Sequence, residues 1–495
     1  MCVRLARNLF KTSDFIQCRR VILAVSGGSD SLALMFLVKE YLETLSVPPE
    51  IIAVTVDHQL RKESAREAET VAEICRDHHI KHITVRWEGT KPKTHIASSA
   101  RVARYDLLVL EAQRQGASLI MTGHTLNDQV ETYQMRSQRL QKSRGLLGDD
   151  ASAMRDDFSA GDFAGALCSE TRVMGDGYHA RETRKNITEK NDGVLYERGL
   201  SCIPREALLQ RKVRLIRPLL GIRRQTLRNY LCSQGKMWID DPTNEDRNFE
   251  RVRVRQSLSS KKLTDIAQKI NQAALQRRQQ AQNIADLIVA LDITVQHGRC
   301  FIKKPAPLLQ KHACFPFVVG LFAVLMGGGF YLLPQKKLST LVQKLCLHSP
   351  EKKRFTYAGC VIEYNRDGIA LWREGRNMKE TLVGTEETLI WDGRYQITNH
   401  GSEAIKVGAA NLEQLKSLLQ NSNFNLEKPH FPSLQSLLMI SNDKGCDIPE
   451  LISQAIIHKN VIIKRIMAPF DWLSSREDAA LVNVLEPFFN LEVKR

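Results

Sequence analysis

Three clusters in this chain carry side chains able to do chemistry. The first is Ser26-Gly27-Gly28-Ser29-Asp30-Ser31, two glycines set among three hydroxyls and one carboxylate. Glycines let a backbone turn sharply and come close to a ligand, and amides at a helix N-terminus, with the positive end of the helix dipole behind them, make a seat for phosphate. Ser26, Ser29 and Ser31 add hydroxyl donors, whereas Asp30 repels bare phosphate and makes most sense holding Mg2+ between itself and the phosphates. The loop is not of the Walker type, since no Lys follows the glycines. The second cluster is His124, Asp128 and Glu131. On a helix, residues four apart are neighbours, so His124 and Asp128 are candidates for metal coordination and for handling an amine proton. The third cluster joins Asp57-His58, able to reach an adenine and ribose, to Arg101 and Arg104, since Arg grips phosphate in two-pronged fashion. Each cluster also has a plainer reading as a capped turn, a capped strand end or a solvated helical face.

The elements around them alternate. Val21 to Val25 are apolar and rich in β-branched side chains, as in a buried strand, and Leu32, Met35 and Phe36 resume at helical spacing. A second strand covers Ile51 to Val56 and ends at Asp57-His58; a helix follows, roughly Glu63 to His78, then a strand from His82 to Trp87. Another helix, about Ala97 to Gln115, leads to a fourth strand, Ala117 to Met121, and Gly123 to Gln129 opens the next helix. This order predicts an α/β fold with a doubly wound parallel sheet. Such sheets bind ligands beyond the carboxyl ends of their strands, so the three clusters should surround one crevice.

From about 141 to 196 the pattern gives way to a polar, charge-mixed stretch, read as an insertion. Beyond it an Arg-rich helix spans Arg223 to Gln234, and Arg251, Arg253 and Arg255 share a face if extended and fan out if helical. Ile266, Ile270, Ala274, Ile284, Ile288 and Leu291 recur as in one long amphipathic helix over 263–291. Past Gly298 come helical stretches, His312 to Met326 and Lys337 to Leu347, and then strands Phe355 to Tyr364 and Ile369 to Arg373 turned at Asn365 to Gly368. No catalytic constellation stands there, which favours docking over chemistry. The expected organisation is a catalytic domain over 1–257, a helical domain over 258–348 and a small mixed α/β domain over 349–495.

The 495 residues carry 71 Lys and Arg against 55 Asp and Glu, a formal charge of +16, which favours a polyanionic partner. Eleven cysteines without a Cys-x-x-Cys pair signal neither a zinc site nor a disulfide framework, and reduced thiols in the cytoplasm account for them. The longest apolar run, Phe315 to Met326, is too short to span a bilayer, so no membrane role is expected.

The loop from Ser26 to Ser31 resembles the pyrophosphate (PP) loop of the N-type ATP pyrophosphatases, adenine nucleotide alpha hydrolase-like enzymes that cleave ATP between its α and β phosphates. Taken in order, that loop, Val56-Asp57-His58-Gln59-Leu60-Arg61, Ala100-Arg101 with Arg104-Tyr105, Thr122-Gly123-His124, Asn127 to Thr132, Arg217-Pro218-Leu219-Leu220 and Asp241-Pro242-Thr243-Asn244 closely resemble the tRNA(Ile)-lysidine synthetases. The likeness is strong over roughly 20–140 and 199–256, and weaker beyond, at Gly359 to Glu363 and Trp391-Asp392-Gly393-Arg394. It implies ATP and Mg2+ as cofactors, an isoleucine tRNA with a CAU anticodon and free L-lysine as partners, and homodimerisation as an open arrangement. It also implies Asp30, Asp128, His124 and Arg101 as catalytic residues, Ser26 to Ser31 with Asp57 and His58 around the nucleotide, and Asp30 and Asp128 at the metal. The chain departs from the family pattern at Asn127, where an Asp is usual, at Val252, where an Asn is frequent, and in the 141–196 insertion. A PP-loop tRNA sulfurtransferase and a non-catalytic RNA-binding protein remain as alternatives.

Overall fold

The computed structural model describes residues 2–61, 63–92, 94–145, 197–240, 245–345, 353–421, 429–443, 445–451, 460–489 and 492–494. They form two compact units. One comprises the described residues before 173, Glu197–Arg278 and Leu473–Glu477; the other comprises Gln279–Trp472 and the described part of Asp478–Arg495.

The first unit is built on a seven-stranded sheet. Strands β1 (Arg20–Ala24), β2 (Glu50–Asp57), β3 (Lys81–Arg86), β4 (Leu119–Thr122), β5 (Glu206–Leu209), β6 (Val213–Ile216) and β19 (Leu473–Ser475) run in the order β19-β5-β6-β4-β1-β2-β3. The five from β6 to β3 are parallel, as the alternation predicts. β5 and β19 extend that sheet antiparallel. Helices α1 (Cys2–Leu9), α2 (Ser29–Leu42), α3 (Ser64–Asp77), α4 (Ile96–Arg114) and α5 (Leu126–Gly145) alternate with the first strands. Residues Leu32 to Val38 of α2 are all buried, so this helix fills the core beside β1 instead of showing one wet face. α5 runs on to Gly145, so the first residues assigned to the insertion are helical; 146–196 lie outside the described residues.

After the insertion come α6 (Arg224–Ser233), α7 (Glu250–Gln256) and α8 (Ser260–Ala290). The stretch holding Arg251, Arg253 and Arg255 is therefore helical, and these side chains fan out while Val252 and Val254 are buried. The long amphipathic helix exists as α8, and the boundary between the two units falls within it, after Arg278.

In the second unit, β7 (Ile293–Gln296), β8 (Arg299–Lys303), β9 (Lys353–Tyr357), β10 (Cys360–Asn365) and β11 (Gly368–Arg373) make one sheet, against which the buried helix α9 (Phe315–Gly327) packs. The hairpin at Asn365 to Gly368 is as expected. Phe355 to Tyr364, however, is two strands, because Ala358 and Gly359 both adopt positive φ and reverse the chain. Two four-stranded sheets follow, β12 (Thr381–Val383) with β15 (Ile405–Ala409), β16 (Leu438–Asn442) and β17 (Gly445–Asp447), and β13 (Glu387–Trp391) with β14 (Tyr395–Asn399), β18 (Val461–Arg465) and β20 (Glu492–Lys494). Val383, Ile397, Val407, Ile440 and Ile463 share one core between them. The described residues of 279–345, 353–472 and 478–489, expected as parts of separate domains, fall in one unit, where Ile288 and Phe322 share a core with Ile362 and Leu485. Trp391 to Arg394 is the β13–β14 turn, and its Asp392 binds Arg373 and buried Arg394, both at 2.7 Å. That motif braces the fold.

Candidate active site

The order β4-β1-β2 makes the carboxyl ends of β1 and β4 the place where the sheet winding reverses, the point at which α/β sheets open a crevice for ligands. The loop from Ser26 to Asp30 leaves β1 there, and Gly123 to Asp128 leaves β4. Gly27 has φ +84°, a left-handed conformation that favours glycine, and its carbonyl accepts the Ile239 N–H at 2.9 Å. Ser31 Oγ accepts the Ser26 N–H at 3.1 Å and donates to the Gly28 carbonyl at 3.0 Å, so this hydroxyl shapes the loop. Ser29 Oγ lies 3.4 Å from Asp30 Oδ1. The loop then enters α2, where the Ser31 and Leu32 amides donate to the Gly28 carbonyl, both at 3.1 Å, so the amides of Ser29 and Asp30 at the helix start are the ones suited to a phosphate.

Gly123 lets the two loops meet: a Cβ there would stand 2.8 Å from the Asp30 carbonyl oxygen, closer than backbone allows. His124 Nδ1 is 2.9 Å from Thr122 Oγ1. Burial, with Arg217 and Arg101 nearby, holds its imidazole neutral, well below the usual range. Asp128 takes up its capping reading and pairs with two arginines besides. Its Oδ2 accepts the Thr125 N–H and hydroxyl, both at 2.8 Å, capping α5, while Oδ1 accepts from Arg251 at 2.8 Å and from Arg224 at 3.4 Å. Burial alone would raise its pKa, but the Arg251 and Arg224 charges outweigh burial and pull the carboxyl far below the usual range. Fully buried Glu131 takes Arg251 at 2.7 Å and Arg255 at 2.8 Å. Asp30 pairs with Arg224 at 2.7 Å; burial, assisted by the Asp128 charge, nevertheless pushes its pKa up.

A second cationic cluster lines the same crevice. Tyr105 is buried, its hydroxyl 3.3 Å from Arg217 Nη2, with the Arg104 and Arg101 guanidinium carbons 5.1 and 5.6 Å from its ring. Burial opposes ionisation of the phenol, yet Arg217, Arg101 and Arg104 together bring its pKa down to about 7. His58 follows β2, edge-on to Trp87, its buried Nδ1 without a hydrogen-bond partner among the described residues; burial and then Arg104 lower its pKa to about 4. Asp57 is engaged locally, Oδ1 accepting the Gln59 N–H at 2.8 Å and the Ser64 hydroxyl at 2.7 Å, which is its capping reading.

The structure thus brings together the loop, Asp30, His124, Asp128 and Arg101. The sequence reading passed over Arg224, Arg251, Arg255 and Ile239. One local signal was present: acids three apart, Asp128 and Glu131, face arginines four apart, Arg251 and Arg255, and both spacings put their residues on one helix face. Asn127, at the departure from the family pattern, accepts the Arg224 N–H at 2.9 Å and so secures the first residue of α6. Val252, the second departure, packs in the interior. Asp241 to Asn244 lie outside the described residues.

Asp30 and Asp128 flank one guanidinium, Asp30 Oδ2 at 2.7 Å from Arg224 Nε and Asp128 Oδ1 at 3.4 Å from its Nη2. An oxygen-only set of two carboxylates suits Mg2+, which takes one or two carboxylates and completes its shell with phosphate and water. Among the described residues no group of three or more His, Cys, Asp or Glu side chains is placed to hold a metal. Such an ion would therefore depend on the nucleotide.

A glycine-rich loop at the β1–α2 junction, facing a second acidic loop across the point where the sheet reverses, defines a PP-loop nucleotide-binding protein, and the PP-loop domain family matches residues 1–160 and 190–262. The chain is 85% identical over 495 residues, 100% of both chains, to the tRNA(Ile)-lysidine synthase of Bartonella tribocorum. It is 72% identical to that of Bartonella henselae, again over 100% of both chains, and 32% identical to that of Brucella suis over 97% of this chain and 96% of the other. The chain belongs to the tRNA(Ile)-lysidine synthase family. A solved structure, the U34-tRNA thiolase NcsA from Methanococcus maripaludis, overlaps 55% of this chain and 77% of its own at 15% identity and a TM-score of 0.37.

Proposed function

We propose that the protein ligates lysine to C2 of the wobble cytidine of an isoleucine tRNA with a CAU anticodon, through an adenylated cytidine, releasing pyrophosphate and AMP. The observation that carries this reading is the convergence of the phosphate loop and the α5 acids on Arg224, which joins a nucleotide seat to a cation seat in one crevice. Full-length likeness to lysidine synthases favours it over the sulfur-transfer alternative.

In the first step the cytidine O2 attacks the α-phosphorus and the bond to pyrophosphate breaks. The loop amides and the α2 dipole seat the phosphates, and Arg101, with Arg104 and Arg217 beside it, supplies positive charge where negative charge develops. Asp30 and Asp128 are the residues to hold Mg2+, which would withdraw charge from the phosphates when bound. In the second step the lysine ε-nitrogen bonds C2 and the C2–oxygen bond to AMP breaks. An unperturbed lysine amine has a pKa of about 10.4, so the ammonium must first be bound and then lose a proton. Asp128, held ionised by its arginines, suits the binding; its low basicity makes it a poor acceptor of that proton, and neutral His124 stands beside it. The cytidine must leave its stack at a cost of a few kcal/mol. The basic chain grips tRNA phosphates in a salt-sensitive way, and the second unit is the docking part. This reading expects work in the cytoplasm with reduced thiols; among the described residues no helix is long and apolar enough to cross a membrane.

The test is pyrophosphate release from ATP with isoleucine tRNA and lysine, each omitted in turn. Release should require the tRNA, and Asp30→Ala should abolish release while leaving tRNA binding nearly intact. Unchanged turnover in Asp30→Ala would remove the loop from the mechanism.

A further inference from the structure

Arg224 has no part in the chemistry above, yet three carboxylates face its guanidinium. Its Nε donates to Asp30 Oδ2 at 2.7 Å, its Nη2 to Asp128 Oδ1 at 3.4 Å, and its Nη1 stands 3.9 Å from Glu131 Oε1. Its backbone is pinned by Asn127, and its side chain is 19% exposed. Asp128 and Glu131 have Arg251 as well, and Glu131 has Arg255; among the described residues Asp30 has Arg224 as its only salt-bridge partner. One turn further along α6, Arg228 Nε is 3.5 Å from Ser29 Oγ, so the helix turns two arginines toward the phosphate loop.

These contacts bear on how a cation enters. Two carboxylates drawn to one point repel each other unless a positive charge lies between them. A guanidinium is permanently charged and presents a rigid fork, so it meets that need without titrating. A hard divalent cation needs the same carboxylate oxygens. A divalent cation on Asp30 repels the guanidinium held at its Oδ2, so each weakens the other's hold, and a guanidinium pushed off two acids keeps its charge and requires a new anion.

We propose that Arg224 is a positioning residue that competes with a divalent cation for Asp30 and Asp128, so that the cation enters by displacing it and a nucleotide's phosphates take the displaced guanidinium. The inference deepens the adenylation reading and rests on it for the nucleotide, while the competition is a property of the apoprotein. Its consequence is selection. A bare cation displaces Arg224 with nothing to receive it, whereas a cation arriving on a triphosphate brings the receiving anion. Cation and nucleotide affinities are then coupled through this side chain, and such coupling is reciprocal.

The experiment uses the full chain with Mn2+ as a paramagnetic probe, free Mn2+ being counted by electron paramagnetic resonance, with and without an ATP analogue whose α–β bridge cannot be cleaved. Arg224→Gln should bind Mn2+ about tenfold more tightly than the parent without nucleotide. The gain in Mn2+ affinity on adding the analogue should shrink by a similar factor, because no guanidinium awaits the phosphates. Arg228→Gln removes a neighbouring charge and frees only the exposed Asp240, 2.7 Å from Arg228, while leaving the Arg224 pairs with Asp30 and Asp128 in place, so its Mn2+ affinity should stay within about twofold of the parent. Arg224→Lys, a point charge unable to bridge both acids, should fall between parent and Arg224→Gln; it carries the test if circular dichroism finds Arg224→Gln unfolded. Unchanged or weaker Mn2+ binding in the folded Arg224 variant overturns the proposal, as does equal tightening in Arg228→Gln, which would indicate a general field. Pyrophosphate release by the parent is read separately: its absence would sink the adenylation reading and leave the Mn2+ competition standing or falling on its own.

Discussion

At the scale of single residues, like side chains have acquired different states from different neighbours. Asp30 and Asp128 are both carboxylates near Arg224, yet burial with a nearby like charge raises one pKa while Arg251 and Arg224 lower the other. The chemistry of His124 and Asp128 was visible in their types and spacing, but their protonation was not, because it depends on arginines from distant parts of the chain. Tyr105 is the clearest instance. The folded protein holds it ionised from about pH 7 upward, while an unperturbed tyrosine keeps its proton to 10.0. Between those values the unfolded chain binds the extra proton, so this group adds stability as pH rises through the window and adds none below it. An absorbance titration near 295 nm should find one tyrosine ionising near pH 7, absent in Tyr105→Phe. The variant's stability should also rise less between about pH 7 and 9 than the parent's. A parent with no tyrosine ionising below pH 9 would contradict the assignment.

At the scale of elements, the strand-loop-helix unit around Ser26 to Ser31 was legible because it is local: β-branched residues, then glycines, then helical spacing. The dual character of Asp57 resolved toward capping because its own turn supplies the donors within seven residues. The two-strand nature of 355–364 was missed because Ala358 carries no turn signal, although Gly359 after it does. Gly123 joins two elements through a close backbone approach. Gly123→Ala puts a methyl 2.8 Å from the Asp30 carbonyl oxygen, and moving that backbone displaces the phosphate loop. The expected result is a loss of about 2 kcal/mol in stability and at least about tenfold in ATP affinity, measured by denaturant unfolding and by calorimetric titration. An alanine variant with parental ATP affinity would mean that the two loops do not constrain each other.

At the scale of the whole molecule, the unexpected feature is β19, three residues from near the end of the chain that complete a sheet begun near its start. Ser474 pairs with Leu208 in register, and Arg476 reaches Glu206 at 2.8 Å. A chain ending near residue 300 therefore loses more than most of the second unit: it uncovers the edge of β5, and unpaired edges invite association. Such a truncation should melt several degrees lower and scatter more light on heating than the full chain, besides binding tRNA less tightly. If its melting temperature and scattering match the parent's, β19 is dispensable and any change in tRNA binding belongs to the removed unit alone.

The order of strands and helices, the phosphate loop and the basic character of the chain all followed from the residues themselves, because strand and helix periodicity and glycine conformations act over a few positions. Folding in space was needed to reveal the meeting of Arg224 with Asp30, 194 residues apart, the crossing of Arg251 and Arg255 to the α5 acids, and the return of Leu473–Ser475 to the first sheet. Local spacing could put the α5 acids on one face and Arg251 with Arg255 on another, but no local pattern says which distant faces meet. Such contacts exist because packing closes long loops and because buried charges, once brought together, must find partners.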